Sequence, residues 1–588
     1  MHPRKCGIRR KPDIVLVDIR QSSTSRRWQD THSIAELTVS RFSRGILDAL
    51  TVKASHIFRT QENRLFVVMI ALCFESVYLC VFDRAGVLIS HEYNVHAHPD
   101  AFLRIMVGLL FADPAMIGLD DTVTISNGAV KRVAVKRSFE IERTLFKTEA
   151  IRGTAATYWH AVRGNKNYVI KDTWHDISLP RTEAQILAKL VDIEGVPRVV
   201  ETARVTVPVI ECRVDDTTDR RRRDMGRVGL TQSRMQFKKL ENRIHLRMVM
   251  QPLASSIWKF STKRELISAL IDILTIHENV YEHGGVLHRG ISINNLMLYK
   301  PAAFGSLAAT SEPAAREDGI RRGMLTDFTP AVVMTDAESN TEHEVRSKLG
   351  TDTVAFMSWD VLIDYPKIKH LPQHDLESLY YVFIWICVSC GGPNGKPRNA
   401  DDFIQHDVFE QWMNGTSPFS NIAANKHTYF TDGDQFERKI LASFSPYFKD
   451  LKPCCSKLRA LIFGHDKPSV ATHHMMRSIL LETLQSLAVE ISPSGTAPIN
   501  IPTLDPSDFG EDPEAMDVDV DDEPLATAAR EIQSGGEDEP RDDGYDDSDE
   551  SDDDFDDFDS DEDEDVRWQP IQNTMRYTVD LRRAFPSF

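Results

Sequence analysis

The chain has 588 residues, 41% of them hydrophobic and 8% aromatic, which is enough for two or more domains with large cores. No apolar run reaches the ~20 residues of a membrane span, and the eight cysteines are scattered, which argues against a disulfide scaffold and fits a reducing compartment, cytoplasmic or nuclear. The formal charge of −19 is unevenly divided: residues 505–565 hold 31 acidic and 2 basic residues, a net −29, so the remainder carries +10.

Residues 1–40 are polar and patternless and read as a flexible N-terminal segment. A β-rich N-terminal lobe with its extension is expected over residues 41–250. From about Phe42 the chain reads as strand-like. Residues 65–73 and 77–82 form a pair of strands, Asp83-Arg-Ala-Gly86 a turn, and Val87-Leu-Ile a further strand. Phe102, Ile105, Met106, Leu109 and Leu110 recur at helical spacing and predict a helix over Pro99–Phe111. A second β-rich stretch runs over residues 144–171. Arg220-Arg-Arg-Arg223 reads as a solvated inter-strand loop, with nuclear import or phosphate binding as the alternative.

Past Pro252 the texture turns helical, and a helical lobe is expected over residues 251–490. Thr262 and Glu265 have capping-box spacing, and Leu266, Ile267, Leu270, Ile271 and Leu274 line one face of the helix that follows. Residues 375–390 form a nearly continuous apolar helix. The lone CxxC within it, Cys387-Val-Ser-Cys390, has no second pair and reads as core, not as a zinc or redox site. A last amphipathic helix is expected from His474 to about Val489. Residues 491–536 are a linker and residues 537–565 an acidic tract too charged to bury a core, hence expected to be disordered. Residues 566–588 form a C-terminal tail that regains Trp568, Tyr577 and Phe585. Ser551 and Ser560 precede carboxylates in the pattern that acidophilic kinases phosphorylate.

The chemistry concentrates in Val286-Leu-His-Arg-Gly-Ile-Ser-Ile-Asn-Asn-Leu and Met324-Leu-Thr-Asp-Phe328. A kinase catalytic loop reads H-R-D-x-x-x-x-N and is followed by D-F-G. His288, Arg289 and Asn295 hold the signature spacing, and Asp327-Phe328 follow. The base position is Gly290, which has no side chain to accept a proton. Neither Ser292 nor Asn294 can replace a carboxylate. Asn295 and Asp327 offer the hard oxygens that suit Mg²⁺. Residues 301–322 between them read as a surface loop. Upstream, Val169-Ile-Lys171 reads as a strand end whose lysine would contact nucleotide phosphates, and Glu183 as its partner at the start of the next helix. Arg152-Gly153-Thr154 stands where a glycine-rich loop would cover those phosphates, with only one glycine. Thr329 stands where the third residue of D-F-G would be, and makes that turn less free to flip. Thr341, Ser347, Thr351 and Thr353 are candidate regulatory hydroxyls in the segment that follows, with Arg289 as their phosphate partner. The residues alone thus read as a Mg-nucleotide site lacking its base.

Together these residues resemble the fungal-type protein kinase family. The likeness includes Phe82-Asp-Arg-Ala-Gly86, Ile170-Lys-Asp-Thr-Trp174, Met248-Val-Met-Gln-Pro252, Ile257-Trp-Lys-Phe260, Phe356-Met357 and His374-Asp-Leu-Glu-Ser378, and extends over about residues 40–470. The resemblance implies an α+β, bilobal kinase-like fold. It has a β-rich N-terminal lobe and extension, a helical C-terminal lobe and a disordered acidic tail. It implies ATP-dependent phosphorylation of protein Ser/Thr with ATP and Mg²⁺, impaired here by Gly290. It also implies that Asp375 anchors the catalytic loop and that Asp360 closes the activation segment. The alternatives are a pseudokinase scaffold that binds nucleotide without turnover, or an acidic tail that binds basic, histone-like proteins. A protein substrate or partner is expected, with no direct nucleic-acid binding and no membrane association. Restoring a carboxylate by Gly290→Asp is expected to raise transfer by roughly 10²-fold.

Overall fold

The computed structural model describes residues 12–17, 27–126, 128–148, 150–209, 212–225, 241–301, 320–335, 354–363, 369–398, 412, 417–464 and 471–487. The chain begins with an extension built on one mixed sheet. β1 (Ile14–Val17), β2 (Thr31–Thr38), β3 (Val67–Cys73), β4 (Ser76–Asp83) and β5 (Gly86–Ile89) pair in that order, and β6 (Tyr93–Asn94) pairs with β4. Only the β2–β3 pairing is parallel, so the chain crosses over between them through α1 (Arg44–Thr60).

β3 shows why the sheet needs a helix on each face. Successive side chains point to opposite faces. Val67, Met69, Ala71 and Cys73 join a cluster with Leu47, Leu50, Ala54 and Ile57 of α1. Val68 and Ile70 join another with Ala101, Ile105 and Leu109 of α2 (Pro99–Phe111), whose ends match the sequence reading.

Two sequence expectations change here. The lead-in over residues 1–40 is in part sheet: β2 is polar, but Thr31, Ser33 and Ile34 are buried, and the Ser33 hydroxyl donates to the Val68 carbonyl at 2.7 Å. A polar central strand leaves no apolar period to read. The stretch after Phe42 is a helix, not strand. Leu47, Leu50, Ala54 and Ile57 recur every three or four residues and bury one face of α1, although it holds several β-branched residues.

The second sheet is wholly antiparallel. It comprises β7 (Val123–Ser126), β8 (Ala129–Ala134), β9 (Ser138–Lys147), β10 (Thr157–Arg163), β11 (Lys166–Asp176), β12 (Arg198–Arg204) and β15 (Arg243–Gln251), in the order β12-β15-β11-β10-β9-β8-β7. The β7–β8 hairpin had no sequence counterpart. α3 (Glu183–Lys189) connects β11 to β12, and the β13–β14 hairpin (Thr206–Pro208, Arg213–Asp215) leads into α4 (Thr218–Met225).

A buried ionic chain joins extension and sheet: Asp120 to Arg247 (2.9 Å), Arg247 to Asp172 (2.8 Å), Asp172 to His245 (2.9 Å), His245 to Asp216 (3.3 Å), and Asp216 to Arg221. Arg221 also donates to the Leu65 carbonyl at 3.0 Å. The arginine run is therefore no solvated loop at this residue, because a helix turns it inward. Glu62, just past α1, adds a second tie by accepting from Trp159 Nε1 (2.5 Å) and Thr144 Oγ1 (2.8 Å).

The second lobe is mainly helical. α5 (Lys263–Glu282) starts at Thr262, whose hydroxyl accepts from the Glu265 amide at 3.1 Å. The Glu265 carboxylate reaches Ser261 N (2.6 Å) instead of closing the expected box on Thr262. Short strands flank it: β16 (Ser255–Ser256) before, and β17 (Val286–Leu287), β18 (Leu296–Tyr299), β19 (Arg322–Leu325) and β20 (Val332–Val333) after. α6 (Trp359–Ile363) precedes α7 (Pro372–Ser389), which is buried along nearly its whole length. α8 (Phe419–Thr431) and α9 (Lys452–Phe463) pack against it, and α10 (His473–Ser486) packs against α5 and α9. Cys387 and Cys390 are buried free thiols. The architecture is two-lobed α+β, with the catalytic-loop motif where the lobes meet. No helix among the described residues is long and apolar enough to cross a membrane.

Candidate active site

Lys171 stands in the middle of β11, not at a strand end, opposite Tyr158 of β10 and Met248 of β15. It is buried, and its Nζ donates to Glu183 Oε2 (2.6 Å), Asp327 Oδ1 (2.7 Å) and Thr329 Oγ1 (2.8 Å). The Tyr158 ring centre lies 5.1 Å from the same nitrogen.

Glu183 is held by the local fold of α3. The Thr182 hydroxyl accepts from the Gln185 amide and the Gln185 side chain accepts from the Thr182 amide (2.8 Å), so the helix begins at the carboxylate. Glu183 Oε1 also accepts from the Phe328 amide at 2.9 Å, which ties α3 to the Asp327 turn.

Burial by itself would lower the Lys171 ammonium, but Asp327 and Glu183 outweigh it and hold its pKa well above the ordinary lysine value. Burial would raise Asp327, yet Lys171 and the Thr329 donor bring it down to about 2. Burial keeps Glu183 above the ordinary glutamate value despite Lys171. The centre is thus an ammonium facing two carboxylates, with the more open one, Asp327, firmly ionised.

On the catalytic loop, His288 Nε2 donates to the Thr326 carbonyl (3.0 Å), and Nδ1 accepts from the Gly290 amide (3.2 Å). Burial lowers its pKa to about 4, so the ring is neutral. The Arg289 amide donates to Asp375 Oδ2 at 2.9 Å from a backbone at φ 63°. Asp327 has φ 59°. Left-handed backbone at two non-glycine residues persists only where surrounding contacts enforce it. Asp375, near the start of α7, also receives His277 Nε2 and His370 Nε2, each at 3.0 Å, and His277 in turn meets His473 Nε2 of α10 at 2.8 Å. Burial would raise Asp375, but His370 and His277 hold it well below the usual carboxylate range.

Asn295 Nδ2 donates to the Gly290 carbonyl (2.7 Å), which leaves the amide oxygen as its group suited to a cation. The Asn295 carbonyl accepts from the Thr326 amide (2.9 Å) and hydroxyl (3.0 Å), and so fixes the loop beside the Asp327 turn. Gly153 lies in the loop between β9 and β10 at φ 119°, a conformation that favours glycine. Its amide donates to the Arg84 carbonyl of the extension at 3.3 Å. That amide is therefore turned to the extension instead of being free for a phosphate.

The structure thus gathers Lys171, Glu183, Asn295 and Asp327 with His288, Arg289 and Gly290, and sets Gly153 apart. The hydroxyls Thr341, Ser347, Thr351 and Thr353 lie outside the described residues, as does most of the 301–322 loop. Sequence reading missed Tyr158 and the three histidines around Asp375. It also missed Lys426, a buried residue whose Nζ donates to the Ala355 (2.8 Å) and Met357 (2.6 Å) carbonyls. Trp359 N donates to Glu377 Oε1 (2.9 Å), so Glu377 also holds the segment end, where Asp360 was expected to act. Apart from His370 and Asp375, which lie five positions apart, these contacts join separate segments and so leave no local sequence signal.

A seven-stranded antiparallel sheet with α3 linking two of its strands, a strand lysine paired to that helix's glutamate, and an H-R-x-x-x-x-x-N loop facing an Asp-Phe turn define the protein kinase class of fold. The family model described as fungal protein kinase matches residues 11–387, and the chain belongs to that family. The match begins earlier than residue 40 and ends within α7, short of residue 470. No curated protein matches the chain. The family uses ATP and Mg²⁺ and acts on proteins. The donor set fits that group: a carboxylate and an amide oxygen for a hard cation, and an ammonium for phosphate oxygens.

Proposed function

We propose that this chain binds Mg-ATP between its lobes and is an impaired protein Ser/Thr kinase. The observation that carries this reading is the assembled Lys171–Glu183–Asp327 cluster beside a catalytic loop whose base position is Gly290. When bound, Mg-ATP supplies the γ-phosphoryl group and part of the charge that neutralises it. Lys171 binds phosphate oxygens while Glu183 orients it. Asn295 and Asp327 hold the cation. His288 and Asp375 keep the loop in shape. No side chain at 290 takes the proton of an attacking hydroxyl, which costs on the order of 10²–10⁴-fold in rate. Because metal and positioning terms survive, slow transfer is expected in preference to a pure scaffold. Thermal shift and single-turnover transfer from labelled ATP test this. A ligand at ~100 times its Kd should stabilise the fold by ~2.7 kcal/mol. No shift with millimolar Mg-ATP, or an equal shift in Lys171→Ala, rejects the binding reading. Binding with no transfer leaves the scaffold reading.

A second reading rests on charge. Residues 505–565 carry −29 against +10 elsewhere, and we infer that they bind basic, histone-like proteins. Such binding weakens steeply with salt, since exposed charges are screened over ~8 Å at physiological ionic strength. Salt-independent binding, or binding kept after deletion of residues 505–565, rejects it.

A further inference from the structure

The base position is not an open slot. Gly290 is buried, and a Cβ built on it would lie 2.5 Å from Cγ of Pro330, with His288 Cε1 and Nδ1 next at 3.5 Å. Carbon atoms in contact sit ~3.5–4.0 Å apart, so ring and side chain cannot both stay where they are. The backbone does not itself ask for glycine, because Gly290 is not among the residues with positive φ. The proline ring does.

Both sides of the contact are pinned. The Gly290 amide donates to His288 Nδ1 (3.2 Å) and its carbonyl accepts from Asn295 Nδ2 (2.7 Å). Pro330 carries its ring on a backbone turn closed by the Ala331 amide donating to the Phe328 carbonyl at 3.2 Å. Phe328 is fully buried, edge-on to the His288 ring with centres 4.8 Å apart. Moving the ring means moving the turn that carries Asp327.

We propose that Pro330 is a positioning residue that fills the base position from the metal-turn side, so that the missing carboxylate is a two-residue feature. While Pro330 is present, a side chain at 290 distorts the turn. The expectation that Gly290→Asp suffices to raise transfer is therefore revised. Only with the ring removed does an introduced carboxylate have room to act. The substrate hydroxyl oxygen then bonds to the γ-phosphorus of ATP, the bond to the bridging oxygen breaks with its electron pair leaving on ADP, and the hydroxyl proton passes to the carboxylate. This activity arm rests on the Mg-ATP reading above. The contact arm does not.

The contact is tested on the full chain by melting the parent, Gly290→Ala, Pro330→Ala and the double variant. Overpacking should lower the Tm of Gly290→Ala by roughly 2–8 °C, and Pro330→Ala should remove most of that loss, because contacting residues are not additive. An equal loss with and without Pro330 overturns the proposal. The activity arm compares single-turnover transfer to a generic Ser/Thr peptide by Gly290→Asp and by Gly290→Asp with Pro330→Ala. The expected result is roughly 10²-fold more transfer in the double variant. Equal gain in the single variant overturns the proposal, as does a double variant that is rescued in Tm, shifts with Mg-ATP and transfers nothing. If no variant shifts with Mg-ATP, the binding reading fails and the Tm cycle alone decides on Pro330.

Discussion

Two ionic clusters lie back to back on β11, one behind Lys171 and one behind its neighbour Asp172. The pleat sends these adjacent side chains to opposite faces. On the back face Arg247, His245 and Arg221 alternate with Asp120, Asp172 and Asp216, three cations against three carboxylates, all nearly sealed from solvent. On the cleft face Lys171 meets both Glu183 and Asp327, and the Asp327 side chain remains 30% exposed. The back cluster is balanced within itself and closed. The cleft cluster carries one negative charge in excess and is open on the side of that charge, as a site for a divalent cation requires. The histidines diverge in the same way. His245 is raised to about 9, because Asp172 and Asp216 overcome the effect of burial, whereas burial lowers His288 to about 4. One cluster is built for cohesion, and the other has the charge arrangement of a site.

The largest expected effect is on the back face. Arg247→Met leaves Asp120 buried without its ion-pair partner and Asp172 with His245 alone, and should cost on the order of 3–5 kcal/mol in a urea titration. An unchanged midpoint would break the comparison.

The two histidines predict a stability maximum near pH 6.5. His245 has a folded pKa above its unfolded value, so its contribution is full below about 6.5 and is lost as pH rises through about 9. His288 has a depressed folded pKa, so its contribution is full above about 6.5 and is lost as pH falls through about 4; His473, lowered to about 4 by burial, adds to the same limb. His245 and His288 each contribute on the order of 3 kcal/mol to their limb. Melting the protein across this range checks both limbs, and His245→Gln should flatten the alkaline one alone.

On the cleft face, Lys171→Met should abolish the stabilisation by saturating Mg-ATP, ~2.7 kcal/mol at a hundredfold excess over Kd. Retention of that shift would detach the cluster from nucleotide binding. Asp327→Asn should be the mildest change in the absence of ligand, within roughly 1 kcal/mol, since this carboxylate is partly solvated and Lys171 keeps Glu183. It should nonetheless remove the Mg²⁺ dependence of nucleotide binding, read as equal thermal shifts with and without the metal. A large loss of ligand-free stability would place Asp327 with the structural cluster.

Local sequence chemistry determined much of this protein. The motif spacing named His288, Arg289, Asn295 and Asp327 and exposed the glycine at 290. Periodicity drew α2, and a threonine cap drew the start of α5. Composition set residues 505–565 apart from the +10 remainder. These are signals between residues a few positions apart, and chain geometry alone makes them legible. Tertiary structure decided what the site contains. Lys171 meets Asp327 across 156 positions, Arg289 meets Asp375 across 86, and His277 meets His473 across 196. Tyr158 enters through strand register, and Pro330 fills the place of the base because two loops converge. A hydrophobic period of two or 3.6 carries no record of such encounters. They are fixed only when the sheet, α3 and α7 pack and bring buried charges to the partners that offset their desolvation.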